Sequence, residues 1–179
     1  MSKLLNKENK ASALYQRAEE CWTEGKLSDA FELFLAAAKA GYVPAYRILA
    51  DFYDQGTGVK ANQRAALYWY MRAYRQHDSW YRRGDSSSAN NIGCIWRAKG
   101  RPRTAIMWFK RAVKLGDGDA NLNIALIYLR SNRDRQKAVL YLQRTINAKY
   151  VTDGSIEEAE KLLSEIRKTK RRAVRRSKC

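Results

Sequence analysis

A single histidine, His77, serves the whole chain of 179 residues. With no partner at metal-ligand or triad spacing, it makes neither a metal site nor a nucleophile–base pair. The other small-molecule signatures are equally thin. Gly56, Thr57 and Gly58 lack the lysine and serine of a phosphate-binding loop. Asp117, Gly118 and Asp119 are too few for a calcium loop. Asp51 and Asp54 share one helical turn and read as a solvated face. The sequence therefore predicts no enzyme, no cofactor and no metal. There are three cysteines, Cys21, Cys94 and Cys179, with no Cys-x-x-Cys pair. That spacing excludes a disulfide framework and predicts a reducing, cytoplasmic location. No apolar run approaches the length of a membrane span, and the opening MSKLLNKENK has no apolar core for a secretory signal. Only two prolines, Pro44 and Pro102, interrupt the chain.

Positive charge is abundant, with a formal total of +17. It is unevenly placed. Residues 60–115 hold 13 Lys/Arg against 2 Asp/Glu, and residues 167–179 hold 8 against none. The segments 1–59 and 116–166 are each net −1. Such asymmetry points to an anionic partner rather than to solubility alone.

One pattern recurs along the chain. It runs alanine, two residues, a large pair, then alanine or threonine seven places after the first. It reads AFELFLAA from Ala30, ALYWYMRA from Ala66, AIMWFKRA from Ala105 and AVLYLQRT from Ala138. Before each lies an apolar stretch with a small residue at Ala18, Ala50, Gly93 or Ala125. Three places further on stands Cys21, Tyr53, Trp96 or Tyr128. Small residues where large ones flank them are what two closely packed helices require. Four helix hairpins follow, at the spacing of helical-pair repeats. Trp69, Trp96 and Trp108 occupy repeat positions and are expected in the core. Gly25, Gly56 and Gly100 should close first helices, and Pro44 and Pro102 should open helices. Ser28 and Asn62 are expected N-caps. Ser155 and Glu158 form a capping box for a ninth helix whose stripe is Ile156, Ala159, Leu162, Leu163 and Ile166. That helix would cover the open end of the array. The expected organisation is a flexible 1–10, a repeat domain over 11–166 and a basic tail over 167–179.

The stretch 45–73 is the clearest unit. Through Ala45, Leu49, Ala50, Tyr53, the Gly56-Thr57-Gly58-Val59 turn, Ala66, Trp69 and Ala73, it resembles a Sel1-like repeat, a relative of the tetratricopeptide repeat. The other hairpins lack this turn and read more like plain tetratricopeptide units, and the first carries Arg17 where an apolar residue is expected. The resemblance implies an all-α, right-handed α-solenoid that binds proteins or peptides through a groove lined by first helices. On that implication Arg47, Asp51, Asn90, Cys94 and Arg97 face the groove. Leu122, Leu126 and Leu129 take the same places in the fourth hairpin, where the final helix would fill it.

The step from each second helix to the next hairpin is 15 residues at two junctions and 22 at the third, which places an insertion at 78–84. It carries Trp80, Tyr81, Arg82 and Arg83, residue types that anchor interfaces. Arg97, Arg101 and Arg103 follow closely. Two function classes remain open. One is a non-enzymatic scaffold that binds an acidic protein or peptide through the groove and the insertion. The other is a nucleic-acid-binding protein that sets arginines on phosphates and aromatics on bases. The tail residues Arg167, Lys168, Lys170, Arg171, Arg172, Arg175, Arg176 and Lys178 would serve either, or would solubilise or target the chain.

Overall fold

The computed structural model describes residues 2–75, 85–131 and 134–176 of the chain, with side chains described only between 8 and 169. The described residues form helices and no strand: α1 (Ser2–Thr23), α2 (Leu27–Lys39), α3 (Pro44–Gln55), α4 (Gln63–Arg75), α5 (Ser86–Ala98), α6 (Pro102–Lys114), α7 (Asp119–Ser131), α8 (Arg135–Ile146) and α9 (Asp153–Arg176). The chain is all-α and of the helical-hairpin repeat type. It divides into two compact units, Met1–Ile95 and Trp96–Cys179, with the division inside α5.

In the first unit α1 pairs with α2 and α3 with α4, and α2 also packs on α3. Helix contact there depends on the small residues. Ala18, Ala30, Ala37, Ala45, Ala50 and Ala66 have no exposed surface. Each lets a neighbouring backbone approach, and the gaps between them are filled by rings. Phe34 meets Tyr15, Trp22 and Phe52 edge-on at 5.4, 6.0 and 5.5 Å. Phe31 meets Tyr53 at 5.2 Å. Burying a ring of this size stabilises by about 2 kcal/mol. The turn after α3 is fixed by glycine. Gly56 takes a left-handed φ of 75° as the α3 C-cap, and Gly58 takes φ 65°. A Cβ on Gly58 would lie 2.2 Å from the Leu27 carbonyl oxygen, so only glycine lets the turn sit against the start of α2.

In the second unit α6 packs on α7, α7 pairs with α8, and α9 covers α8 and touches α7. The same small-and-large pattern is buried: Ala105, Trp108, Phe109 and Ala112 on α6, then Ala138, Tyr141, Leu142 and Thr145 on α8. Ala159 and Leu163 bury the inner face of α9. Asp119 ties this covering helix down. Its Oδ1 accepts from the Thr152 amide at 3.0 Å and the Thr152 hydroxyl at 2.8 Å.

Pro44 and Pro102 open α3 and α6, and Asn62 caps α4 through the amides of Arg64 and Ala65. Two expected caps are corrected. Helix α2 starts after Lys26, which makes no side-chain cap, and the Ser28 hydroxyl instead donates to the Gly58 carbonyl at 3.3 Å. Helix α9 starts at Asp153, before Ser155, and the Ser155 amide is received by the Thr152 hydroxyl. Both serines lie within the first turn of their helices, where a hydroxyl finds another acceptor nearby. Helix α1 begins at Ser2, and α9 runs through the basic residues to Arg176. Lysine, arginine and alanine favour helix, and no glycine or proline stops it there. Of the five tryptophans, Trp69 and Trp108 are buried, Trp96 is half-buried, and Trp22 is 46% exposed although its ring packs on Phe34 and Phe52.

Candidate functional site

The first unit holds a polar cluster where α3, α4 and α5 meet. Asp51 on α3 receives the Tyr70 hydroxyl at 2.5 Å, the Asn91 amide at 3.2 Å and the Arg47 guanidinium at 3.0 Å. The Asn91 amide also donates to the Tyr70 hydroxyl at 3.1 Å. Arg47 reaches on to Asp85 at 4.0 Å, and Asp85 accepts from the Ser88 hydroxyl. Burial pushes the Asp51 carboxyl above the usual range, against the opposing pull of Tyr70, Arg47 and Asn91. Burial and the Asp51 hydrogen bond raise the Tyr70 phenol. Every carboxylate here faces a donor already in place, so the cluster braces three helices together.

The expected groove residues divide accordingly. Arg47 and Asp51 are joined as an ion pair along α3. Asn90 and Cys94 lie half-buried on α5, and neither Cys21 nor Cys94 is in a disulfide. Asn91, the neighbour of Asn90, enters the cluster with Asp51. Tyr70 and Asn91 escaped sequence reasoning. Tyr70 reads as one of a large core pair, and nothing in the pattern marks its hydroxyl. Trp80, Tyr81, Arg82 and Arg83, like His77, lie outside the described residues.

The second unit holds a cavity of about 510 Å³ at the C-terminal end of α7. Arg97, Pro102, Leu126, Ile127 and Arg130 line it, together with the turn at Gly100. The Arg97 guanidinium donates to the Asn123 side-chain oxygen at 2.7 Å and sits 5.9 Å from the centre of the Phe109 ring. Two arginines thus border an apolar floor. Leu122 is buried, while Leu126 is half-buried and belongs to this floor. Arg101 and Arg103 are exposed at the start of α6. Arg167 and Lys168 are exposed on α9, the helical backbone continues through 170–176, and Lys178 lies outside the described residues.

Arginine recurs on second helices. Arg72 lies over Trp69 at 5.3 Å, Arg111 over Trp108 at 4.4 Å, and Arg144 over Tyr141 at 5.1 Å. Each arginine stands three residues after its ring, the spacing that brings side chains together on one helical face. Among the described residues no group of three or more His, Cys, Asp or Glu could hold a metal, and no helix is long and apolar enough to cross a membrane.

Helix pairs with alanine-lined contacts, repeated down the chain, define an α-helical repeat protein. The chain belongs to the Sel1 repeat family, whose model matches residues 26–42, 43–78, 98–117 and 118–150. The match covers the second and fourth hairpins nearly whole, so the fourth hairpin is a Sel1 repeat despite its different turn. A Sel1 repeat protein from Oxalobacter formigenes is 25% identical with a TM-score of 0.60. The match covers 79% of this chain and 57% of that one. MamA is 18% identical with a TM-score of 0.62, covering 84% and 81% of the two chains. The protein c5321, a protective antigen of uropathogenic Escherichia coli with an SLR fold, is 23% identical with a TM-score of 0.59. That match covers 75% of this chain and 30% of that one. The last two show the fold alone. No curated protein sequence matches the chain. Repeats of this family generally mediate protein–protein interaction.

Proposed function

We propose that the chain is a non-enzymatic adaptor that binds an acidic segment of a partner protein. The observation that carries this reading is the cavity bordered by Arg97 and Arg130 over Leu126 and Ile127. Apolar side chains of the partner would fill the floor, and its carboxylates would meet the two guanidinium groups. Asn123 holds Arg97 in position, which lowers the ordering cost on binding. Arg101 and Arg103 extend the positive border. Within the first unit, Arg47, Asp51, Asn90 and Cys94 are proposed partner contacts in their own right, through the implied groove. Trp80, Tyr81, Arg82 and Arg83 are proposed contacts by residue type. The basic end, from Arg167 onward, would add long-range attraction. A cytoplasmic location fits this reading.

A second reading, nucleic-acid binding, rests on the concentration of charge in 60–115. One experiment separates the two. The full chain is titrated by fluorescence anisotropy with a labelled acidic ten-residue peptide containing leucine, with single-stranded RNA and with duplex DNA, at several salt concentrations. The adaptor reading expects the peptide to bind, and Arg97→Glu with Arg130→Glu to weaken it at least about tenfold, or roughly 1.4 kcal/mol. Tighter binding of RNA or DNA, with a log–log salt slope of several, would instead favour the second reading.

A further inference from the structure

The second and fourth hairpins share one register. Ala45, Ala50 and Ala66 correspond to Ala120, Ala125 and Ala138, all without exposed surface. In the second hairpin the residue after Ala45 is Tyr46. Its buried ring lies 4.6 Å from the Arg72 guanidinium, which also donates to its hydroxyl at 3.0 Å. In the fourth hairpin these two positions are Asn121 and Arg144. Arg144 keeps its place over the preceding aromatic, as Arg72 does. Asn121 is only 4% exposed. Its amide nitrogen donates to the Gly118 carbonyl at 3.3 Å, while no donor among the described residues reaches its side-chain oxygen. The Gly118 carbonyl fixes this orientation, because turning the amide would set two acceptors face to face. Asparagine is shorter than tyrosine by a ring. A cavity of about 430 Å³ lies here, lined by Val113, Gly116, Asn121, Arg144, Ala148 and Tyr150 among others.

We propose that this cavity receives the phenol side chain of a tyrosine from a partner protein. The ring takes the place beside Arg144 that Tyr46 takes beside Arg72. The hydroxyl accepts from Arg144 and donates to the Asn121 side-chain oxygen, which lies buried in the cavity wall and must move out to meet it, with Val113, Ala148 and Tyr150 against the ring. A phenylalanine ring would leave the buried oxygen unpaired, and a carboxylate would oppose it acceptor to acceptor. That the phenol comes from a partner protein rests on the adaptor reading above; the chemistry of the cavity does not.

The test is a nuclear magnetic resonance titration of the full, isotope-labelled chain. The probes are N-acetyl-tyrosinamide, N-acetyl-phenylalaninamide and the capped peptide Gly-Ser-Tyr-Ser-Gly. Saturable shifts of the Ala148 and Tyr150 backbone amides, which line the cavity, are expected with both tyrosine probes, with phenylalaninamide at least about tenfold weaker. Arg144→Gln, an exposed change, should weaken the tyrosine probes about tenfold and leave the melting temperature nearly unchanged. Asn121→Tyr should supply the ring from within, abolish the shifts and raise the melting temperature. Equal response to phenylalaninamide, no saturation with any probe, or unchanged titration in Asn121→Tyr would overturn the phenol site. Binding of tyrosinamide without the peptide would overturn the partner-tyrosine source alone. Failure of the acidic peptide at Arg97 and Arg130 would count against the adaptor reading and leave the phenol site standing.

Discussion

The guanidinium of Arg72 lies 4.6 Å from the centre of the Tyr46 ring and donates to that ring's own hydroxyl at 3.0 Å. A residue of α4 is thereby fixed to a buried residue of α3 by two different interactions. The exposed Tyr68 flanks the same guanidinium at 6.0 Å. Arginine does this where lysine could not, because a planar guanidinium stacks and donates at once. Tyr46→Phe keeps the ring and loses one hydrogen bond, so it should cost about 1 kcal/mol. Tyr46→Ala leaves a cavity between α3 and α4 and should cost about 3 kcal/mol or more. Urea unfolding with an unchanged slope would measure both; equal costs would show that the hydroxyl alone matters.

Asp51 supplies a prediction with a sign. Its carboxyl is raised first by burial, and the Tyr70, Arg47 and Asn91 donors pull it back down. A raised folded value means that Asp51 contributes stability most fully below the ordinary carboxylate pKa. That contribution is lost as pH rises through the folded value. Tyr70→Phe removes the shortest of the donors, so the Asp51 carboxyl should titrate higher still. Stability near neutral pH should fall by about 1–3 kcal/mol. Carboxyl-carbon resonance titration of the variant would reveal the shift. An unmoved Asp51 would mean that burial acts alone.

The repeat was legible because its signal is steric. Ala30, Ala66, Ala105 and Ala138 must be small wherever two helices touch, and the structure buries all four completely. Tyr70, Asn91 and Asp85 were not legible as a cluster, since hydrogen bonding across helices leaves no periodic trace. The step of 22 residues before α5 compounds this. It leaves the rotation of α5 undetermined from sequence, so nothing marked Asn91 as a partner of Asp51. The Asn121 cavity was hidden for a similar reason. An asparagine inside a helix reads as polar surface until its neighbours are seen to bury it. Cap positions shifted because Ser28 and Ser155 each have a competing acceptor or donor within one turn.

Glycine at position 58 is predicted to be irreplaceable in a way that Gly25 is not. Both have positive φ, 65° and 76°. A side chain at Gly25 would meet nothing, while one at Gly58 would run into the backbone of Leu27 and Ser28. Gly25→Ala should cost about 1 kcal/mol, the penalty of a left-handed alanine alone. Gly58→Ala should cost clearly more, because rigid backbone at the start of α2 must move as well. Thermal unfolding of the two variants side by side decides it. Equal losses would mean that the turn shifts freely.

The covering helix α9 depends on one carboxylate near its start. Burial alone would push the Asp119 carboxyl up. The Thr152 amide, the Ser155 hydroxyl and the Thr152 hydroxyl together outweigh it and hold the group below its usual range. A lowered folded value contributes stability above the ordinary carboxylate pKa, and that stability is lost as pH falls through the folded value. Acid below about pH 4 should therefore loosen the junction between α7 and α9. Asp119→Asn should loosen it at neutral pH and flatten the acid dependence, at a cost of about 1 kcal/mol. Amide exchange along 153–166 reports the junction directly. Once α9 lifts, the face of α8 that Ala159 and Leu163 cover becomes exposed. Leu163→Glu should then produce self-association at neutral pH, seen by sedimentation. A Leu163→Glu chain that stays monomeric and equally stable would show that α9 does not hold the end of the array.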